Sequence, residues 1–300
     1  MSDVYRLAVI EDGGVALPVV EQGGRLLPLA QVLGADAGAL AAGTDLMPLL
    51  QDWTAASQAL DAAVAAANFS GGRSAGEAKF RAPLALPGKI VCIGANYHDH
   101  VAEMPIPMVP EYPYAFLKPA NTTIRGSGDP VARPPGVSLM DYEAELAVVI
   151  GTECRHVAAA EALDVIAGYA NLNDLSARDW LASRPPIGVD WVRHKAFDGF
   201  CPFGPYLLPA RFVADPQNVD VHLTVNGVTK QDTNTRHMIY GVAAIIEHLS
   251  AIMTLLPGDV IATGTGAGVG HGRKPPEYLK PGDEVVIEIA GLGRLITPIV

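Results

Sequence analysis

The spacing of hydrophobic and polar positions changes several times along the chain. Between residues 4 and 33, short apolar runs are cut by the polar turns Glu11–Gly14 and Glu21–Gly24, which predicts a few strands. The Ala-rich stretch Thr54 to Phe69 has helical spacing, and Ser70 to Lys79 is polar and Gly-rich like a linker. The pattern therefore divides the chain into a small N-terminal α/β unit over residues 1–80 and a larger unit over 81–300. In the larger unit, strand patterns recur at Lys89–Gly94, Tyr114–Lys118, Leu139–Ile150, Ile166–Asn173, Val219–Val225, Val260–Thr263 and Val285–Ile289. Asn226-Gly227 between two alternating runs reads as a hairpin turn. Helical spacing is confined to Met238–Leu255 and, more weakly, Ala158–Ile166. Frequent strands with few crossover helices predict a mixed α+β, β-dominated fold whose larger unit is a β-roll or barrel-like body.

Composition narrows the function classes. The 300 residues are 49% hydrophobic, enough for a full core, and the net charge of −11 with no Lys/Arg-rich run argues against a nucleic-acid or anionic-membrane partner. Any anionic ligand must be met by local cations. Three scattered cysteines, Cys92, Cys154 and Cys201, fit free thiols in a reducing compartment. The first residues lack the apolar core of a signal peptide, and no apolar run approaches the roughly 20 residues that span a bilayer, so a cytoplasmic location is expected.

Acidic residues carry the first chemical signal. In Ser138–Ile150, a period of two places Asp141, Glu143 and Glu145 on one strand face, where same-face neighbours lie about 6.6 Å apart and repel when ionised. The segment runs into Leu146–Ile150, too apolar for an open edge, so the acids are expected to line a cavity rather than a solvated face. A second strand, Ile166–Asn173, ends at Asp174, with Arg178 just beyond. If Asp174 joins Glu143 and Glu145, the ligand set is all oxygen and selects Mg²⁺ or Mn²⁺, with Ca²⁺ a weaker fit, over zinc or copper.

Proton-transfer chemistry has its own candidates. His100 and Glu103 stand three apart after the Lys89–Gly94 strand, and on a helical turn they face each other, so that the carboxylate fixes the imidazole tautomer and makes it a base; His98 is a rival. Lys195, flanked by Arg184, Arg193 and His194, could meet a carboxylate or an oxyanion, although a loop lysine can equally be a solvated charge. The glycines of Gly264–Gly272 suggest a dinucleotide loop. That reading is rejected because Arg273-Lys274-Pro275-Pro276 precludes the helix whose N-terminus would hold a pyrophosphate; Thr265 is left as a hydroxyl donor to a ligand.

Taken in order, KIVCIGANYHDHVAE, FLKP, DYEAELAVVIG, AGYANLNDLSARD, KAFDGFCPFGPY, VNG, LSAIMTLLPGDVIATGTGAGVG and LKPGDEVVIEI resemble the fumarylacetoacetate hydrolase family over roughly Pro87 to Val300. The resemblance implies a mixed β-roll, a Mg²⁺ or Mn²⁺ cofactor, homodimers and a small anionic 2-oxo or 2,4-dioxo acid as substrate. It maps metal ligands onto Glu143, Glu145 and Asp174, a catalytic dyad onto His100 and Glu103, and substrate or oxyanion contacts onto Arg178, Lys195 and Thr265. Two positions depart from the family pattern: Leu181 stands where a Gln is common, and Gly266 where a Pro is usual. The expected reaction is C–C hydrolysis of an acylpyruvate-type acid through a metal-bound enolate. The alternatives are decarboxylation of an oxaloacetate-type acid and isomerisation or hydration of unsaturated 2-oxo acids. A non-catalytic metal-binding module and a nicotinamide dehydrogenase are the rivals from other classes.

Overall fold

The computed structural model describes residues 4–104, 107–182 and 188–300. A large mixed sheet forms its centre. Its main path runs through Arg73–Ser74, Arg25–Pro28, Val15–Gln22, Arg6–Asp12, Cys201–Pro209, Ile166–Asn173, Ala144–Ile150, Val260–Thr265, Ile90–Gly94 and Tyr114–Lys118. Along that path the pairing is antiparallel, except that Val260–Thr265 runs parallel to Ile90–Gly94. The path is open, so the body is β-dominated without being a closed barrel. A second, antiparallel sheet comprises Val228–Asn234, Asp220–Val225, Glu284–Ile289 and Arg294–Pro298. Asn226 and Gly227, both at positive φ, make the expected hairpin turn.

Both faces of the central strands are covered. Leu146, Val148 and Ile150 join a core with the second sheet and the helix Val242–Ile252, while Ala147 and Val149 join a core that includes Leu60 and Val64 of the helix Trp53–Ala66. This double burial explains the unbroken apolar run at 146–150, because alternation with polar residues is needed only where one face meets water. The N-terminal strands lie in the same sheet: Leu7 pairs with Leu207 and Ala8 with Tyr206. Residues 70–79 are tied down through Arg73–Ser74, which pairs with Arg25–Leu26, and through the Lys79 carbonyl, which accepts from Glu11 N–H.

Three local expectations are corrected. The Leu139–Ile150 strand is interrupted: Met140–Asp141 pairs with Ser176–Ala177, Ala144–Ile150 with the central sheet, and Tyr142 and Glu143 lie between them outside any strand. Side chains take the ladder's place there, since Asp141 accepts from Tyr142 N–H and Asn173 from Glu143 N–H. Ala158–Ile166 holds only the 3₁₀ turn Ala162–Val165, because Ile166 enters the strand. The Met238–Leu255 helix shortens to Val242–Ile252; before it, Tyr240 N–H is drawn off to Asn96 Oδ1. Among the described residues no helix is long and apolar enough to cross a membrane.

Candidate active site

Two adjacent central strands deliver the acids. Glu145 is the second residue of the Ala144–Ile150 strand, Glu143 precedes that strand, and Asp174 follows the end of Ile166–Asn173, with its N–H donating to Glu143 O at 2.9 Å. One oxygen from each of Glu143, Glu145 and Asp174 lies within 4.8 Å of the others, and all three residues are buried. Asp141, expected on the same face, is turned away by the break in its strand. It accepts from Arg178 Nε at 2.9 Å and from the backbone N–H groups of Gly270 and His271 at 2.7 and 3.0 Å. Its role is to anchor Arg178 and the 264–272 loop.

Cations are interleaved with these acids. Lys195 Nζ lies 2.6 Å from Glu143 Oε2 and 2.6 Å from Asp174 Oδ2; Lys118 pairs with Asp174 and also donates to Leu175 O at 3.1 Å; Arg178 pairs with Glu143. Burial raises the Glu143 carboxyl, yet Lys195 and Arg178 together hold it well below the usual range. Glu145 goes the other way, pushed up by burial and by the charges of Asp174 and Glu143, with Gly264 N–H at 2.8 Å as its hydrogen-bond donor. Among the described residues, four buried acids thus face three buried cations, and Glu145 is the acid outside the ion pairs. An all-oxygen cluster with surplus buried negative charge suits a hard divalent ion.

His100 and Glu103 meet on the short helix His98–Glu103. His100 Nδ1 is 2.7 Å from Glu103 Oε1, and Glu103 Oε2 accepts from Gly268 N–H at 2.9 Å. Glycine at 268 and 270 has a steric cause: a Cβ at the first would strike Lys230 O and at the second Glu277 O, so only bare backbone brings these N–H groups to Glu103 and Asp141. Gly266 is explained likewise, since a Cβ there would meet the Thr233 side chain at 2.5 Å, and Thr233 is fixed by donating to Asp99 Oδ2 at 2.9 Å. His100, Glu103, the three acids, Arg178, Lys195 and Thr265 all line one cavity of about 910 Å³.

Other candidates are placed differently. His98 is exposed and Arg193 stacks its guanidinium 3.5 Å over the Trp180 ring, so neither lines the cavity; Arg184 lies outside the described residues. Thr265 is not a donor to a ligand here, because its hydroxyl proton goes to Ala144 O at 2.9 Å while Gln231 Nε2 donates to it at 2.8 Å. Three participants escaped the sequence reading. Lys118 had a signal, since alternation puts it on the buried face beside Phe116. Gln231, which also accepts from Ala144 N–H, sits in a polar strand with none. His194 stands beside Lys195 in the sequence with no signal of its own. Its Nδ1–H donates to Ala177 O at 2.9 Å, and burial, with Arg178 and Lys195 nearby, pushes its pKa down to about 2, so a neutral ring borders the cavity.

Residues 89–300 match the model of the fumarylacetoacetate (FAA) hydrolase C-terminal domain. A mitochondrial oxaloacetate tautomerase of Homo sapiens is 45% identical over 224 residues, covering 75% of this chain and 70% of that protein. A 2,4-didehydro-3-deoxy-L-rhamnonate hydrolase of Sphingomonas sp. (strain SKA58) is 44% identical over 219 residues, covering 73% and 75%. The solved maleylpyruvate hydrolase of Sphingobium sp. SYK-6, in complex with manganese (II) ion and pyruvate, superposes with a TM-score of 0.77 at 31% identity over 98% of each chain.

Proposed function

The chain belongs to the fumarylacetoacetate hydrolase family, and from that premise we propose that it is a divalent-metal-dependent hydrolase cleaving a C–C bond in a small 2,4-dioxo acid. The observation that carries this reading is the meeting, in one cavity, of the Glu143–Glu145–Asp174 cluster and the His100–Glu103 dyad. Glu143, Glu145 and Asp174 would hold Mg²⁺ or Mn²⁺, which when bound withdraws electrons from the substrate's 2-oxo group and so stabilises negative charge at C3.

Protein groups supply the rest. An ionised Glu103 accepts from Nδ1–H of His100, leaving Nε2 as the base. Nε2 takes a proton from water as the water oxygen adds to the distal carbonyl, with Lys195 the positive charge for the resulting oxyanion and Arg178 the hold on the substrate carboxylate. The adduct then collapses: the C3–C4 bond breaks with its electron pair on C3, and His100 returns the proton there. The products are pyruvate and a carboxylic acid.

A second reading draws on the human oxaloacetate tautomerase to which the chain is 45% identical. The same imidazole would move a proton between C3 and the 2-oxygen of oxaloacetate with no water added. Proton NMR separates the two when Mn²⁺- or Mg²⁺-loaded protein is given acylpyruvates and enol-oxaloacetate in parallel. Hydrolysis predicts pyruvate plus a new acid from the acylpyruvates. Accelerated loss of the enol, with every dioxo acid left intact, would replace the hydrolase reading by the tautomerase one.

A further inference from the structure

Depth divides the cavity into two chemistries. At the floor are Glu143, Glu145, Asp174, Arg178 and Lys195, each at most 7% exposed. Towards solvent the lining becomes Met108, Val109, Tyr112, Leu181, Val189 and Trp191, with Met108, Val109 and Tyr112 at 69%, 52% and 56% exposure. The aromatic part of this wall is held in place: Trp191 stacks on Phe116 with ring centroids 4.4 Å apart, and its indole N–H donates to Tyr114 Oη at 3.0 Å. Trp191 therefore turns a hydrocarbon surface, with its polar atom already partnered, towards a ligand.

We propose that this outer wall selects a substrate whose tail, beyond the reacting carbonyl, is apolar and uncharged. Dioxo acids ending in an alkyl or aryl group are then preferred over those ending in a second carboxylate. The inference rests on the hydrolase reading for the reaction and adds the class of tail. Charge supports it as much as hydrophobicity does. Among the described lining residues the cations are Arg178 and Lys195, and both end on floor acids, Asp141 and Glu143 for the first and Glu143 and Asp174 for the second. The charged residue described on the outer wall is Glu111, an exposed anion at the rim. A distal carboxylate would lose water against apolar side chains, meet no Lys or Arg among the described residues of the outer wall, and approach a like charge. A carboxylate only one carbon past the oxo group, as in oxaloacetate, would stay at the floor and escape this selection. The volume of about 910 Å³ sits near the top of the roughly 300–1,000 Å³ usual for small-molecule sites, which leaves room beyond a pyruvate-sized core.

The test compares, with Mn²⁺-loaded protein, acylpyruvates bearing methyl, propyl, pentyl and phenyl tails with acids of matching length that end in a carboxylate. Expected is a rise in kcat/KM of about two- to fourfold per added methylene. The alkyl tail should lead its carboxylate counterpart by about tenfold or more. Glu111→Lys should narrow that lead by about threefold. If nothing in the panel is cleaved, the hydrolase reading fails, and calorimetric competition by the same acids still orders their affinities. Carboxylate tails that react or bind as well as alkyl tails overturn the proposal, as does a tail ratio that Glu111→Lys leaves untouched.

Discussion

The floor and the mouth of the cavity hold their side chains by opposite means. At the floor, Glu143, Asp174, Asp141, Lys118, Lys195 and Arg178 fix one another through buried ion pairs, so each member's position depends on its partners. At the mouth, Met108, Val109 and Tyr112 stand largely in solvent, and Trp191 is placed by ring stacking. A network of buried charges is unforgiving, because removing one member strands another in low dielectric, whereas an exposed apolar wall changes by small, local increments. The shared chemistry of a family therefore belongs at the floor, and the choice of substrate belongs at the mouth.

Substitutions can break this contrast, beginning with the floor. Lys118→Met leaves Asp174 with Lys195 as its ion-pair partner and is expected to cost about 3 kcal/mol, read from urea unfolding. A loss below about 1 kcal/mol would mean that the network is not tightly coupled. His100→Ala is expected to lower kcat by about 10²- to 10³-fold with a far smaller change in Mn²⁺ affinity, because the imidazole is hydrogen-bonded to Glu103 rather than to an acid of the cluster. Steady-state kinetics beside a metal titration separates the two effects.

His194 supplies a pH test with a definite sign. Its folded pKa of about 2 lies below the ordinary 6.5, so below pH 6.5 the unfolded chain binds a proton that the folded chain does not. Stability is therefore lost as pH falls from 6.5, by up to about 1.4 kcal/mol per pH unit. His194→Asn is expected to flatten that part of a melting-temperature profile, and an unchanged slope would count against the neutral buried ring. The smallest effect is at the mouth, where Met108→Ala should move unfolding stability by no more than about 0.5 kcal/mol.

What could be read from the chain follows the range of the interactions. Asp174 at a strand end, the His100–Glu103 pair and the Asn226-Gly227 turn are local patterns, and each appears where the spacing puts it. Whether the acids converged was a matter of strand pairing, and here periodicity failed for Asp141. A strict period of two groups it with Glu143 and Glu145, but Asp141 and Asn173 accept the backbone N–H groups that would have continued the strand. Lys118 reaches Asp174 across 56 residues and Gln231 reaches Ala144 across 87, distances at which no local pattern names the partner. The polar, Gly-rich stretch at 70–79 has the composition of a linker, while its backbone finds strand partners that composition does not encode.

The central claim is that Glu143, Glu145 and Asp174 grip one divalent ion. Its most direct test is an anomalous difference map from crystals of the protein grown with Mn²⁺. A single strong peak is expected within about 2.0–2.3 Å of an oxygen from each of the three side chains. A peak elsewhere, or none at millimolar Mn²⁺ with Lys195 still seated between Glu143 and Asp174, would contradict it.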